Sequence, residues 1–171
     1  MLSVGPILKS PTGWYWHVHH EILAERSYDI VERVVYIMGC KEPDEIEPRL
    51  RLLRPVRGPL PAMLVEASAR YDKALSEWHE ANARWHEACE VWLESDLNWS
   101  HPGSPDRVDD WTEALKAKNA AEDALSEAND AVRAAYATCL PELEALHAKE
   151  CPDCPWDGRT IFPERERTAR F

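Results

Sequence analysis

The stretch "YDKALSEWHEANARWHEACEVWLESDLNW", residues 71–99, repeats a large aromatic residue every seven positions. A small residue follows each of the first four aromatic residues by three positions. The aromatic row comprises Tyr71, Trp78, Trp85, Trp92 and Trp99, and the small row comprises Ala74, Ala81, Ala88 and Ser95. Core positions at heptad spacing are typical of a helix that packs one face against a second helix. We therefore predict one long helix, which begins near Pro61 because the first helical turn tolerates proline.

A second long helix is predicted after a break in this pattern. The segment "HPGSPD", residues 101–106, interrupts the heptads, and Ser104 before a proline is typical of a helix start. Residues 107–150 then carry two heptad rows of smaller residues: Leu125, Val132, Cys139 and Leu146, and Ala121, Ala128 and Ala135. Since tryptophan rings fit against alanine-lined positions, we expect the two helices to form an antiparallel, coiled-coil-like hairpin. Pro141 is expected to kink the second helix or to restart it after Leu140.

The aromatic row could also be interpreted as a platform for stacking nucleic-acid bases or a cofactor. Such a platform needs a basic groove beside the rings, whereas the chain has 20 Lys and Arg against 31 Asp and Glu, a net charge of -11. The best basic cluster is small: Arg49, Arg51, Arg54 and Arg57. Core packing is therefore the favoured interpretation, and direct nucleic-acid binding is disfavoured.

The N-terminal part of the chain predicts a small α+β head. The segments "WYWHVH" and "RLRLLRPV" alternate in the manner of short strands, which we expect to pair. Between them, "SYDIVERVVYIMGC" predicts an amphipathic helix that Ser27 caps and Gly39 ends. Its expected apolar face comprises Tyr28, Val31, Val34, Val35 and Met38. The predicted fold is thus mainly α, with a head formed by residues 13–58 and 147–165 and a helical hairpin over residues 61–146.

The segment "HAKECPDC" contains three candidate metal ligands. Cys151 and Cys154 in C-P-D-C can direct two thiolates at one ion, and His147 lies one helical turn before Cys151. This ligand chemistry suits zinc. The alternative is a surface turn with two reduced thiols or a disulfide. A thioredoxin-like motif is less favoured, because it opens a helix after a strand, whereas this motif follows a helix.

Structural zinc requires a fourth ligand, which "HVHHE" near the N-terminus can supply. An antiparallel hairpin returns the end of its second helix to the start of its first, and so to the head. In a strand, His17 and His19 share a face and His20 points away. We favour His19 as the fourth ligand and keep His17 as the alternate. A half-buried strand without metal is the other interpretation.

A catalytic use of the site has less support. Glu21 beside His20 could act as a general base, and "HVHHE" loosely resembles the strand-end histidines of HNH-type nucleases. The order of the motifs is reversed, however, and no downstream Asn or His completes that pattern. Two thiolates and two imidazoles would also close the coordination shell, which favours a structural ion.

Three segments together are similar to a group of uncharacterised phage and bacterial proteins. They are "WHVHHEIL", "PRLRLLRPVRGPLP" and "CPDCPWDGRTIF", whose counterparts in that group flank a helical middle of short repeats. The resemblance covers about half of the chain and implies no activity.

From these features we predict a zinc-stabilised, non-catalytic protein that binds protein partners and presents the hairpin. An acidic inhibitor that mimics nucleic acid and a small metal-dependent hydrolase are the alternatives. Scattered, odd-numbered cysteines and the absence of an apolar run of about 18 residues predict a cytoplasmic protein outside the membrane. The sequence leaves open whether the protein forms homo-oligomers, because the heptads could also pair between two chains.

Overall fold

A computed structural model describes residues 12–96 and 105–163 of the chain, and the side chains of residues 12–93 and 109–163. The described part is mainly α, with a small three-stranded sheet, which confirms the predicted class. In chain order the elements are β1 (Gly13–Trp16), β2 (Ala24–Ser27), α1 (Ile30–Cys40), α2 (Pro43–Leu52), β3 (Arg54–Pro55), α3 (Ala62–Asp96) and α4 (Pro105–Glu150). Trp99, Ser104 and the Ser95 side chain lie outside the described residues. None of the described helices is both long enough and apolar enough to cross a membrane.

The sheet has β1 at its centre, antiparallel to β2 on one side and to β3 on the other. The first predicted strand is correct only as far as Trp16, because the histidines that follow lie in the connection between β1 and β2. His17 has a φ of 54°, and its backbone N–H donates to the carbonyl of Leu23 at 3.0 Å, which closes the connection. The expectation that His17 and His19 share one strand face is therefore wrong.

The second predicted strand is mostly helix. Of "RLRLLRPV", residues 49–52 belong to α2, and only Arg54–Pro55 pair with β1. Pro43 lies in the first turn of α2, where proline is favoured. Glu45 accepts hydrogen bonds from Nε and Nη2 of Arg49, one turn later, at 2.9 and 2.6 Å. These local helix signals outweigh the alternation of arginine with leucine that suggested a strand.

Helix α1 forms where it was predicted, but its ends and its buried face differ from the prediction. Asp29, not Ser27, caps the helix, because its carboxylate accepts from the backbone N–H groups of Val31 and Glu32. Ser27 instead pairs with Gly13 in the sheet. The buried residues are Ile30, Val34 and Ile37, whereas Tyr28, Val31, Val35 and Met38 are exposed.

The buried face of α1 contributes to the core of the head. Tyr15 from β1 and Val18 from the following connection lie in this core together with residues of α1 and α2. Its buried members are Tyr15, Val18, Ile30, Val34, Ile37, Leu50 and Leu53. This apolar cluster fixes the sheet against the two short helices, and it thereby positions the end of β1.

The chain divides into two compact units, with boundaries at Leu60/Pro61 and at Cys139/Leu140. The first unit contains the sheet, α1, α2, the last turns of α4 and the C-P-D-C turn, and we call it the head. The second contains α3 and the rest of α4. Helix α4 runs through Pro141 without interruption, so the expected restart after Leu140 does not occur.

In the second unit, the predicted heptad rows are the less exposed faces of the two long helices, except at Trp92, which is exposed. In α3, Ala74 and Ala81 are buried, and Trp85 is half-buried. In α4, Ala135 is buried, as is Cys139 in the other row. At one point the helices approach each other, where Nζ of Lys118 lies 5.5 Å from the centroid of the Trp85 ring. The pairing of α3 and α4 as a coiled-coil hairpin stays a prediction.

Replacing Trp85 with alanine tests whether the aromatic row is a packed seam. Since the indole of Trp85 is half-buried and its Nε1 is fully buried, we expect the unfolding free energy to fall by about 2–3 kcal/mol, below the ~3–5 typical of core tryptophans. Trp92→Ala is the control, because that residue is 42% exposed and should lose less. Equal losses in urea denaturation would contradict a seam at Trp85.

Candidate metal centre

Three side chains from distant parts of the chain converge in the head: His17, His147 and Cys154. The Nε2 atoms of the two histidines are 2.9 Å apart, and the Cys154 Sγ lies 3.2 Å from Nε2 of His17. One ligand atom from each of the three residues lies within 4.8 Å of the other two. His17 and His147 are 2% and 5% exposed, and Cys154 is half-buried. This group could hold a metal ion.

The position of His17 follows from the end of β1. Trp16 is the last strand residue, and the left-handed backbone of His17 turns the chain out of the strand. Its ring lies edge-on to His147, with 4.9 Å between centroids, and 5.4 Å from the ring of Trp156. Nδ1 of His17 is buried and has no hydrogen-bond partner among the described residues.

His147 and Cys154 are brought together by the end of α4. His147 lies in the last turn of this helix, and its carbonyl accepts from the backbone N–H of Cys151 at 2.7 Å. The carbonyl of Cys151 in turn accepts from the N–H of Cys154 at 3.1 Å. The chain therefore leaves the helix directly into a tight turn, which places Cys154 beside the histidines.

Glu150 links the end of α4 to two other parts of the head. Its carboxylate accepts from the indole N–H of Trp16 at 2.9 Å, from the backbone N–H of Gly58 at 2.5 Å and from that of Arg57 at 3.1 Å. Burial acts to raise the pKa of this carboxyl, but these hydrogen bonds outweigh burial and lower the pKa. Because Trp16 precedes His17 and Glu150 follows His147 by three residues, the carboxylate fixes the two histidines relative to each other.

Burial favours the neutral form of both imidazoles. Burial lowers the pKa of His17 to about 3, and repulsion from the charged form of His147 acts in the same direction. Burial also lowers the pKa of His147, against the opposing effect of Glu150. Burial raises the pKa of the Cys154 thiol. Neutral imidazole is the form that binds a metal ion, whereas the thiol must release its proton on binding.

The remaining predicted ligands lie outside this group of three. His19, the favoured fourth ligand, is half-exposed, and its Nδ1 lies 2.6 Å from a carboxylate oxygen of Glu25. The geometry thus favours His17, the alternate, because the turn after β1 separates the two histidines. Cys151 is buried and lines a cavity together with Cys154.

The acid–base pair considered for catalysis also lies outside this group. Nε2 of His20 lies 3.4 Å from a carboxylate oxygen of Glu21, whose side chain is 66% exposed. The ring of His20 faces Phe162 at 6.0 Å between centroids. The described geometry gives Glu21 no contact with His17, His147 or Cys154.

Sequence reasoning missed Glu150 and Trp16, which support the candidate metal centre without being ligands. The only available signal was their position, since each lies within three residues of a candidate histidine. Comparisons with protein-family models, curated proteins and solved structures found no match for this chain.

Replacing Gly58 with alanine tests the packing beside Glu150. A Cβ at this position would lie 2.5 Å from Leu146 Cδ1 and 3.0 Å from Glu150 Oε1, so we expect a loss of about 1–3 kcal/mol in unfolding free energy. Gly39→Ala is the matched control, because a Cβ there meets nothing within 4 Å and the residue is helical. The control should lose no stability, and should gain less than the roughly 0.5–1 kcal/mol of a mid-helix glycine, because Gly39 lies one residue before the end of α1. A Gly58→Ala protein as stable as wild type would contradict the close approach.

Proposed function

We propose that the chain is a non-catalytic, zinc-stabilised protein that binds protein partners through its long helices. The observation that carries the proposal is the buried convergence of His17, His147 and Cys154. Two of these ligands lie 130 residues apart in the chain. An ion bound to them would tie the first strand of the head to the end of α4, as structural zinc ties small folds.

The choice of zinc rests on the ligand types and on their spacing. Mixed imidazole and thiolate ligands favour zinc over calcium or magnesium, which prefer oxygen. Bond lengths of 2.0–2.1 Å to nitrogen and 2.3 Å to sulfur place ligand atoms at tetrahedral corners about 3.3 Å apart for N···N and about 3.6 Å for N···S. The separations of 2.9 Å for the two Nε2 atoms and 3.2 Å for Sγ···Nε2 are a few tenths of an ångström shorter. For these two pairs of atoms, zinc would therefore require only a small expansion.

Cys151 is the best candidate for the fourth ligand. It is one tight turn from Cys154, and both residues line the same cavity. His19 is a weaker candidate, since Glu25 binds its Nδ1. A shell of two imidazoles and two thiolates would be closed, which supports a structural ion over a catalytic one.

Exposed apolar residues on α3 support binding of a protein partner. Val91, Trp92 and Leu93 form an exposed run near the end of this helix. Trp92 and Trp111 of α4 line a cavity of about 290 Å³. Exposed aromatic side chains are enriched in protein–protein interfaces. The net charge of -11 favours a protein partner over nucleic acid, and the same heptad rows would also support a homo-oligomer.

The proposal also includes a cytoplasmic location and a phage or bacterial origin. All five cysteines are free, as is usual in the reducing cytoplasm. The resemblance of the two ends to uncharacterised phage and bacterial proteins stays a prediction.

Metal analysis of the purified protein tests the zinc centre. We expect one zinc ion per chain in wild type, and a loss of at least ten-fold in zinc affinity for His17→Ala. His19→Ala is the matched control and should retain the ion, because the imidazole of His19 is paired with Glu25 outside the candidate metal centre. Inductively coupled plasma mass spectrometry gives the stoichiometry, and circular dichroism gives the helix content of each variant.

Two outcomes would count against this assignment. Wild type without stoichiometric metal after purification in zinc-containing medium would overturn the proposal. Retention of zinc by His17→Ala and its loss by His19→Ala would show that His19 is the ligand, as the sequence pattern first suggested.

A further inference from the structure

We propose that Cys151 and Cys154 form an oxidisable thiol pair that hydrogen peroxide converts to an intramolecular disulfide, with release of the bound metal. The release of metal rests on the proposed zinc centre, whereas the disulfide itself is inferred from the geometry of the turn. It assigns the C-P-D-C motif a modification chemistry in addition to metal binding.

The turn holds the two residues at a distance that suits a disulfide. The backbone N–H of Cys154 donates to the carbonyl of Cys151 at 3.1 Å, which closes a four-residue turn. In such turns the first and last Cα atoms are less than about 7 Å apart. Disulfides span Cα separations of about 4.4–6.8 Å. The Cα separation that the turn allows therefore overlaps the range in which disulfides form.

A small oxidant can reach this pair. Both cysteines line one cavity of about 190 Å³, which also contacts Arg51 and Arg54. A water molecule occupies about 30 Å³ in the liquid, so the cavity has room for a molecule of the size of hydrogen peroxide. Cys154 is half-buried and Cys151 is 5% exposed, so larger oxidants are disfavoured.

Metal coordination would supply sulfur in its thiolate form, because a metal ion binds the deprotonated sulfur. The protein's own surroundings do not, since burial raises the pKa of both thiols and Arg54 offsets only part of this effect. The thiolate is the nucleophile in sulfur oxidation.

The reaction balances with peroxide as the two-electron oxidant. One thiolate attacks an oxygen of hydrogen peroxide, the O–O bond breaks, and a sulfenic acid and hydroxide form. The second thiolate attacks the sulfenic sulfur, so that an S–S bond forms and a second hydroxide leaves. Two protons from solvent convert both hydroxides to water. The two sulfurs are oxidised and lose their negative charge, which leaves only His17 and His147 to hold the ion.

In the test, the zinc-loaded protein is treated with hydrogen peroxide, and the same sample is then analysed by peptide mapping. We expect a peptide in which Cys151 and Cys154 are linked, and release of zinc to a chromogenic chelator at the same rate. Dithiothreitol should restore both the thiols and zinc binding. Cys40→Ser is the control, because Cys40 is exposed at the end of α1, away from the turn, and its removal should change neither result.

Peptide mapping of the metal-free protein separates this inference from the proposed function. If wild type binds no zinc but peroxide still links the two cysteines, the zinc centre fails and the thiol pair stands. If zinc binds but peroxide oxidises Cys40 without linking Cys151 to Cys154, the thiol pair fails and the zinc centre stands. In wild type, a link from Cys154 to a cysteine other than Cys151 would contradict the assigned pairing.

Discussion

The head of this protein depends on the carboxylate of Glu150, which accepts hydrogen bonds from three separate donors. These donors are the indole of Trp16 on β1 and the backbone of Arg57 and Gly58 before α3. Hydrogen bonds to a carboxylate are stronger than those between neutral groups. Glu150 therefore fixes the end of α4 against the central strand, and the position of His147 relative to His17 follows from this contact.

The two buried histidines contact each other through Nε2 and leave another ring nitrogen without a hydrogen bond. At 2.9 Å, one Nε2 can donate to the other in either of two tautomers. In both tautomers Nδ1 of His17 stays buried without a partner among the described residues, which costs about 1–3 kcal/mol. A metal ion would replace the contact between the Nε2 atoms with two coordinate bonds. Metal binding to the folded head would thereby stabilise it.

Sequence patterns that extend over many residues predicted the structure well. The heptads of α3 and α4 predict two long helices. Core residues that recur at heptad spacing over several turns fit a helix and do not fit a strand. The C-P-D-C motif and His147 likewise identify one half of the candidate metal centre. These residues lie within eight positions of one another, so they stay close in space however the rest of the chain folds.

Patterns that depend on one or two residues were less predictive. "WYWHVH" alternates throughout, but the strand ends at Trp16, because His17 adopts a left-handed backbone that no local residue signal indicates. The favoured ligand therefore changed from His19 to His17. In α1, apolar residues cover two faces of the helix. Packing against the rest of the head decides which face is buried, and the buried residues are Ile30, Val34 and Ile37. Alternation alone also could not reveal that Arg49 pairs with Glu45 in a helix.

X-ray absorption at the zinc edge of the loaded protein tests the central claim most directly, namely that the end of β1 and the end of α4 share one ion. The account predicts a mixed first shell, with two nitrogen ligands at about 2.0–2.1 Å and one or two sulfur ligands at about 2.3 Å. Outer-shell scattering from two imidazole rings should be present in wild type and reduced to one ring in His17→Ala. A first shell of oxygen alone, or a wild-type spectrum that His17→Ala leaves unchanged, would contradict it.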